Sequence, residues 1–193
     1  MASEKLIRFL RSNGIMNEQQ AAETAGQFAC KELARHDFLL REGQVSDEYL
    51  FLDQGCLRAF ALDPDGQEVT TGFYQGGQVV FEVSSFFTRT PSQENIQALT
   101  DCAGWFITFQ QLNGLFHARP EFREFGRSVL VHGFAALKSR MLAMITESAT
   151  ERYDHLLRTT PEILLHAPVK HVASYLGITD TSLSRIRAGR GAA

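Results

Sequence analysis

The sequence predicts an α+β protein in which an antiparallel β jelly-roll barrel is followed by a long helix and a C-terminal helix-turn-helix. Short β-type runs separated by turn residues occupy the middle of the 193-residue chain. A proline then opens a long stretch of helical periodicity, and two short apolar helices joined by a glycine come last. We place the parts at residues 1–119 (N-terminal helices and barrel), 120–148 (long helix) and 149–193 (helix-turn-helix).

The N-terminal segment is predicted to be helical. Between residues 4 and 30, apolar side chains recur at roughly helical spacing. They are Leu6, Phe9, Leu10, Ala21, Ala22, Ala25 and Phe28. The segment has no continuous apolar run of the kind that forms a signal peptide, so we expect a cytoplasmic protein.

From Phe38 the pattern becomes that of short β-strands. The runs of β-type composition are residues 49–52, 57–62, 69–73, 95–99 and 105–109. Turn signals separate them at residues 53–55, 63–66 and 76–77, where glycine supplies the positive φ that tight turns require. Short strands at regular spacing are typical of an antiparallel barrel or jelly roll.

Pro120 begins the long helix, because proline suits a first helical turn, where its missing N–H would be unpaired. Apolar residues then follow alternating steps of four and three. They are Leu130, Phe134, Leu137, Met141 and Met144, with Ser148 completing the series. This heptad spacing predicts a dimerisation helix. The alternative is a helix laid across its own barrel, but about 28 residues would span roughly 40 Å, more than a small barrel covers.

Residues 169–187 hold the most specific pattern in the chain. Gly177 would end a first helix in the left-handed conformation, and Thr179 would cap a second helix through its side-chain oxygen. Apolar anchors lie at the offsets that two crossing helices require. They are Val172, Ala173, Leu176, Ile178, Leu183 and Ile186. This is the helix-turn-helix arrangement, whose second helix enters the major groove of DNA.

The outward side of the second helix is rich in hydroxyl and arginine side chains. Arg185 is predicted to contact guanine or to clamp a phosphate, and Thr181 and Ser182 to reach base edges. Asp180 could accept from cytosine or favour the helix N-terminus through the dipole. Four further residues are predicted to hold phosphates: Lys170, His171, Thr179 and Arg187. The alternative is a helical hairpin that serves only packing.

Charge and composition limit the partners. The net charge is −3, but residues from 151 onward include six basic and four acidic side chains, and the preceding 150 residues are therefore −5. Arg185, Arg187 and Arg190 cluster near the end, where a DNA contact would need them. No stretch approaches the roughly 18 uninterrupted apolar residues of a membrane span, so we expect no membrane partner.

The whole chain resembles the Crp/Fnr family of transcription regulators. The resemblance lies in residues 39–43 (LLREG), 46–55 (SDEYLFLDQG), 63–66 and 76–77 of the barrel, and in 148–153 (SATERY), 161–163 (PEI) and 173–178 (ASYLGI). The latter set is similar to members common in the Bacteroidetes. The family implies a cyclic-nucleotide-binding-like barrel and a homodimer on palindromic double-stranded DNA. It also implies a small effector that shifts the recognition helices, and we expect RNA polymerase as a further partner.

The resemblance also defines a candidate effector site. Members that bind cyclic nucleotides have Gly-Glu at a helix start and then an Arg-Ser or Arg-Thr pair. The N–H groups and the arginine bind the phosphate, and the glutamate takes the ribose hydroxyl. The corresponding residues here are Phe81, Glu82, Val83, Ser84, Ser92 and Gln93. Phe81 replaces the glycine and Ser92 the arginine, and a buried phosphate without its cation is poorly compensated. We therefore expect no cAMP binding; the effector is another small molecule or none. Arg89 could substitute or be a solvated loop residue.

Metal chemistry and catalysis find little support. Cys30, Cys56 and Cys102 are odd in number and far apart, and the six histidines show no close pairing, so we expect no metal centre.

The wing usual in the family would be missing or very short, since few residues follow the recognition helix. Two other classes remain: an interaction or ligand-storage module with a vestigial helix-turn-helix, and a cupin-type enzyme. The latter would need strand histidines, which residues 49–62 and 69–73 lack, so we expect no enzyme.

Overall fold

The computed structural model describes residues 4–191, with side chains to residue 189. The strands are β1 Ala29–Leu33, β2 Phe38–Leu40, β3 Glu48–Gln54, β4 Cys56–Leu62, β5 Glu68–Gln75, β6 Gln78–Val80, β7 Asn95–Ala98 and β8 Cys102–Thr108. The helices are α1 Glu4–Leu10, α2 Glu18–Ala25, α3 Val83–Thr88, α4 Phe109–Ala118, α5 Pro120–Thr146, α6 Ala149–Thr159, α7 Ile163–His166, α8 Val169–Tyr175 and α9 Asp180–Gly191.

The strands form two antiparallel four-stranded sheets, in the orders β1-β8-β3-β6 and β2-β7-β4-β5. Leu50 and Leu52 of β3 and Leu57 of β4 are at most 1% exposed and belong to one apolar cluster, which joins the two sheets. A second cluster packs the N-terminal helices and α4 onto β3 and β8. The predicted α+β architecture with an antiparallel barrel is confirmed.

The N-terminal prediction is partly wrong, because residues 4–30 hold two separate helices, α1 and α2, but end in the first residues of a strand. Helix α1 ends at Leu10, and the chain turns through Gly14, whose φ is +72°. Asn17 then caps α2 through a reciprocal pair of hydrogen bonds with Gln20. Strand β1 begins at Ala29 and pairs with β8. Helical spacing on both sides of the turn conceals the break.

Helix α5 spans 27 residues and begins at Pro120, as predicted. Its first third packs on the barrel through Phe122 and Phe125, both almost fully buried. Beyond Val129, one side of the helix carries large apolar side chains that are open to solvent. By length and composition alone, α5 could cross a membrane. However, Arg140 donates to carbonyl oxygens of β5 and of α8, which ties this helix to both neighbouring domains.

The C-terminal helices have the predicted helix-turn-helix form. Gly177 adopts a φ of +69° between α8 and α9, and the Ser182 amide donates to the Thr179 side-chain oxygen at 3.2 Å. Val172, Ala173 and Leu183 are fully buried. Their cluster also includes Cys56 and Leu99 of the barrel, so the core of this module is continuous with the sandwich.

Candidate nucleic-acid interface and sensor site

Helix α9 presents an exposed polar surface. Thr181, Ser184 and Arg185 are exposed, as are Asp180 at its first position and Lys170 near the start of α8. Among the described residues, Arg185 makes no ion pair or hydrogen bond, so its guanidinium group is available to an anionic partner. The side chain of Arg190, the last member of the basic cluster, lies outside the described residues. The structure therefore leaves Arg185, Thr181 and Lys170 accessible for contact.

Two of the predicted DNA contacts serve the fold of α9. The oxygens of Thr179 and Ser182 lie 3.0 Å apart, and the Ser182 amide donates to Thr179. This is the N-cap that the sequence predicts, because a threonine oxygen satisfies an otherwise unpaired N–H. Ser182 is half-buried. Both side chains therefore have a structural role at the start of the helix that is predicted to meet DNA.

Arg187 points back toward the module instead of outward. Its Nε donates to the hydroxyl of Tyr153 on α6 at 3.3 Å, and its guanidinium carbon lies 5.9 Å from the centre of that ring. The residue is half-buried. A guanidinium in this position stabilises the packing of α6 against α9. Direct phosphate contact by Arg187, as predicted from its helical position, would require it to leave Tyr153.

His171 requires a correction, because it faces the barrel and not the solvent. Its Nε2 lies 3.1 Å from a guanidinium nitrogen of Arg58, and its side chain is 12% exposed. Burial, with Arg58 and Lys170 adding to it, lowers the pKa of His171 to about 4. A neutral, buried imidazole does not hold a DNA phosphate. We therefore remove His171 from the predicted phosphate contacts.

The group that His171 meets lies on the barrel. Arg58 of β4 has a fully buried side chain, with Nε donating to the Thr70 hydroxyl at 2.8 Å and a terminal nitrogen to Glu68 at 2.6 Å. The Arg58 cation and its hydrogen bond hold the pKa of Glu68 below its ordinary value. A role for Arg58 is not predictable from the sequence, because an arginine inside a strand of apolar residues carries no sign of the domain that it will face.

Two arginines connect the long helix and α6 to the helix-turn-helix. Arg140 of α5 donates to the carbonyls of Thr71 and Tyr175, at 2.8 and 3.2 Å. Arg152 donates twice to the carbonyl of Leu176, the residue that ends α8. A cation at a helix C-terminus is favourable, since the unpaired carbonyls there carry partial negative charge. Neither arginine was predicted to have a role.

The candidate effector site is organised differently from a phosphate cradle. Glu82 caps α3, and its two carboxylate oxygens accept from the amides of Ser84 and Ser85 at 2.9 and 2.6 Å. These are N–H groups at the start of α3, where the family's cyclic phosphate would bind. Phe81 is buried against Tyr49 and Phe86, while Val83 and Ser84 are exposed. The glutamate therefore occupies amides that a phosphate would need.

Ser92 and Arg89 do not supply the missing cation site. Ser92 is buried, and its hydroxyl bonds the backbone of Glu94 as both donor and acceptor; Gln93 beside it is exposed. Arg89 donates to Asp47 at 2.6 Å and to the carbonyl of Ser46 at 2.9 Å, and it lies over the ring of Phe109. Arg89 is therefore neither a phosphate ligand nor a freely solvated residue, but a clamp between two loops.

The barrel also encloses acidic groups that the sequence did not single out. Burial, reinforced by the nearby charge of Glu82, raises the pKa of Glu94. Burial, together with the charges of Glu94 and Glu82, raises the pKa of Tyr74 to about 12. A cavity of about 440 Å³ is lined in part by Phe81, Ser46, Asp47 and Glu48. Both of its carboxylates are already paired, Asp47 with Arg89 and Glu48 with Lys31, so the cavity offers an anionic ligand no free cation from these pairs. Within residues 4–191, no group of three His, Cys, Asp or Glu side chains is placed to hold a metal ion.

All five residues of the predicted dimerisation seam are exposed on α5, from 38% at Leu130 to 69% at Phe134. Three exposed apolar neighbours lie outside the heptad row: Val131, Leu142 and Ile145, the last 73% exposed. Leu137 and Met144 also line a cleft of about 590 Å³ between α5, α6 and β5. The apolar face of α5 is thus wider than one heptad row.

Comparison with known proteins gives a consistent picture. Residues 30–119 match the cyclic nucleotide-binding domain family. The transcriptional activator protein Anr of Pseudomonas protegens is 24% identical over 167 residues, which span 81% of this chain and 68% of Anr.

Solved structures of bacterial proteins share the fold. FixK2 from Bradyrhizobium japonicum superposes with a TM-score of 0.73 at 15% identity, covering 84% of this chain and 83% of FixK2. CLP from Xanthomonas campestris, described as a c-di-GMP responsive global regulator, gives 0.68 at 16% identity, covering 86% and 88%. At these identities the likeness shows the fold alone.

Proposed function

Since residues 30–119 match the cyclic nucleotide-binding domain family and the chain has the Crp/Fnr fold, we propose that this protein is a transcription regulator that binds palindromic DNA as a homodimer. Of the relatives named above, Anr is described as a transcriptional activator and CLP as a global regulator, which supports a regulator and not an enzyme. Cytoplasmic localisation and contact with RNA polymerase belong to the same proposal.

The observation that supports DNA binding most directly is the surface of α9. Arg185 and Thr181 are exposed there on a helix whose opposite side is anchored by the fully buried Leu183. A recognition helix needs both features, because its side chains reach base edges only if the module behind it holds it rigidly. Lys170 at the start of α8 can add a phosphate contact that positions the module.

The apolar face of α5 supports the homodimer. Phe134 and Ile145 are about 70% exposed, at 69% and 73%, and they lie on the same side of the helix as Met141. Large apolar side chains in a continuous exposed row indicate an interface. A second copy of α5 packing lengthwise along this face would bury them and would place two recognition helices around one two-fold axis.

The effector site supports a ligand other than cAMP. Glu82 occupies amides at the start of α3, and Arg89 is bound to Asp47. A cyclic phosphate would therefore have to displace a carboxylate without gaining a free cation. In a thermal-shift assay we expect no stabilisation by cAMP at millimolar concentration. A rise in the melting temperature with cAMP would contradict this assignment; a metabolite panel in the same assay searches for the actual ligand.

Selection of bound sequences from a random double-stranded DNA library tests the proposed function. We expect an enriched palindrome whose half-sites lie about one helical turn, roughly 34 Å, apart or a multiple of it. In the Arg185→Ala variant the enrichment should weaken, and the preference should be lost at the base pair that Arg185 contacts. If the wild-type protein retains no sequence above non-specific background, with or without metabolites, the helix-turn-helix is vestigial and the chain acts as a ligand or interaction module.

A further inference from the structure

We propose that the contact between α8 and the barrel is a proton-sensitive latch, in which neutral His171 docks on the Arg58–Glu68 pair and positions the recognition helix for DNA. The proposal deepens the function proposed above and rests on it where DNA is concerned. Its two sides are the barrel, at the edge strand β5 and its neighbour β4, and α8, the first helix of the helix-turn-helix. The latch joins the sensor domain to the DNA-binding domain.

The position of α8 explains why a latch forms here. Strand β5 is at the edge of its sheet, with β4 as its only neighbour in that sheet. An edge strand presents N–H and C=O groups that need partners. The amide of Thr70 donates to the Ser174 hydroxyl at 2.8 Å, and that hydroxyl donates to the Glu68 carbonyl at 3.3 Å. One serine of α8 thus satisfies a donor and an acceptor of the exposed edge.

The charged part of the latch lies beside this serine. Arg58 is 1% exposed in its side chain and pairs with Glu68, which is 42% exposed. The Nε2 atom of His171 lies 3.1 Å from the same guanidinium nitrogen that binds Glu68. Because an arginine can only donate, Nε2 must accept, and the imidazole must be neutral with its proton on Nδ1. The docked arrangement therefore requires one protonation state of His171.

Protonation of His171 opposes docking. A proton on Nε2 would remove the acceptor and place a second cation against the buried guanidinium of Arg58. The groups around the ring are Arg58 of β4, Glu68 of β5, Lys170 of α8 and Asp180 of α9. Only Glu68 and Asp180 favour the cation, and the Glu68 carboxylate lies 3.6 Å from Nε2 and is already bound to Arg58. The cluster therefore selects the neutral imidazole.

The direction of the pH effect follows from linkage. In the docked state the pKa of His171 is lowered to about 4 from the ordinary 6.5 that an undocked, solvated ring would have. The docked state therefore binds fewer protons, so docking is strongest above pH 6.5 and weakens as the pH falls from 6.5 toward 4. Between pH 7.5 and 5.5 the docking equilibrium constant should fall about tenfold.

Docking should favour DNA binding and not oppose it. The face of α8 that meets the barrel carries His171 and Ser174, whereas Lys170 and the outer side chains of α9 remain exposed. The docked module thus keeps its proposed DNA surface free. A palindrome requires two recognition helices at a fixed separation, so a rigid attachment reduces the entropy lost on binding both half-sites. A single half-site gains nothing from that rigidity.

Hydrogen exchange of the Thr70 amide in the full-length protein tests the latch without DNA. This N–H donates to Ser174 across the domain contact, so its protection factor, corrected for the intrinsic rate at each pH, measures docking. In the wild type we expect the protection to fall about tenfold between pH 7.5 and 5.5. In His171→Gln, whose amide oxygen can accept from Arg58, protection should not change over this range. The matched control is His166→Gln, at an exposed histidine of α7, which should behave as the wild type.

Several exchange results would overturn the latch. One is a protection factor of the Thr70 amide that does not change with pH in the wild type. Another is a fall in that protection factor in His171→Gln as large as the one in the wild type. Titration of His171 near pH 6.5, followed by its ring-proton resonance, would do the same.

A DNA arm tests the positioning role. With the sequence obtained by selection, the His171→Ala and Ser174→Ala double variant should lose at least fivefold more affinity for the palindrome than for an isolated half-site. If the double variant merely folds less well, its affinities for the palindrome and for the half-site should fall equally. A gain in palindrome affinity would mean that docking inhibits DNA binding. Either result rejects the positioning role. If no DNA sequence is selected at all, the proposed function fails, while the exchange experiment still decides whether the latch exists.

Discussion

Two arginines two residues apart on α9, and therefore on nearly opposite sides of it, illustrate how position on a helix decides a residue's role. Arg185 is exposed and has no partner among the described side chains, whereas Arg187 donates to Tyr153. Both are arginines of the same predicted recognition helix, and sequence alone assigned both to DNA. The structure separates a group available to a ligand from a group that holds two helices together.

Arg185→Ala should weaken binding to the selected DNA by about 1–3 kcal/mol and leave the melting temperature unchanged, because an exposed side chain without partners contributes little to folding. Fluorescence anisotropy with labelled duplex measures the affinity. Arg123→Ala, at an exposed arginine on α5, is the control and should bind as the wild type. Equal losses in the two variants would show that only overall charge matters.

Arg187→Ala should act mainly on stability. Loss of the contact with Tyr153 should lower the free energy of unfolding by about 0.5–1 kcal/mol. Urea denaturation followed by circular dichroism measures the change. The opposite result would be unchanged stability together with a loss of DNA affinity as large as that of Arg185→Ala. It would show that Arg187 leaves Tyr153 and contacts DNA in the complex.

At the scale of elements, the sequence predicted those with strong periodicity and missed those formed by distant contacts. The start of α5, the αL glycine at 177 and the Thr179 cap follow from local chemistry, and the structure confirms them. The first two residues of β1, Ala29 and Cys30, were read as the end of the helical segment, and the rest of the strand was not predicted, because its pairing with β8 leaves no local pattern. The packing of α8 on the edge strand β5 brings together residues that are about a hundred positions apart in the sequence. Thr70 and Ser174, which form one of its hydrogen bonds, are 104 residues apart. No local pattern encodes that contact.

The face of α5 provides a prediction at this scale. The double variant Phe134→Ser and Ile145→Ser should convert the proposed dimer to monomer without unfolding it, since both side chains are exposed within one chain. Analytical ultracentrifugation at micromolar concentration measures the mass. Leu62→Ser is the matched control, because Leu62 is 51% exposed but lies at the end of β4. A wild-type protein that sediments as a monomer would remove the basis of the homodimer.

At the scale of the whole molecule, the barrel, the long helix and the helix-turn-helix are connected at one junction. Arg140 reaches from α5 to the carbonyls of Thr71 and Tyr175, and Met144 of the same helix contacts Gly177, where an added Cβ would lie 2.5 Å from the methionine methyl group. The resemblance to Crp/Fnr regulators, drawn from residues along the whole chain, is confirmed by fold and by relatives. The roles of the junction residues were not predicted, because their contacts form only when three separate segments of the chain lie next to one another.

Arg140→Gln tests this junction independently of pH. Removing the guanidinium leaves two carbonyl groups without their donor, so the helix-turn-helix should detach more often at every pH between 5.5 and 7.5. Small-angle X-ray scattering should show a larger radius of gyration than in the wild type. Arg127→Gln, at an exposed arginine of the same helix, should leave the scattering unchanged. An unchanged radius for Arg140→Gln would place the mechanical connection elsewhere.

The exposed apolar face of α5 also has a consequence for gene dosage. If a single chain lacks the second half of its DNA surface, active regulator forms only by association, and while monomers predominate its amount rises with the square of the chain concentration. A twofold change in expression would then produce about a fourfold change in the active species. Promoters under its control would respond steeply to the level of the regulator itself, even at a constant level of its signal.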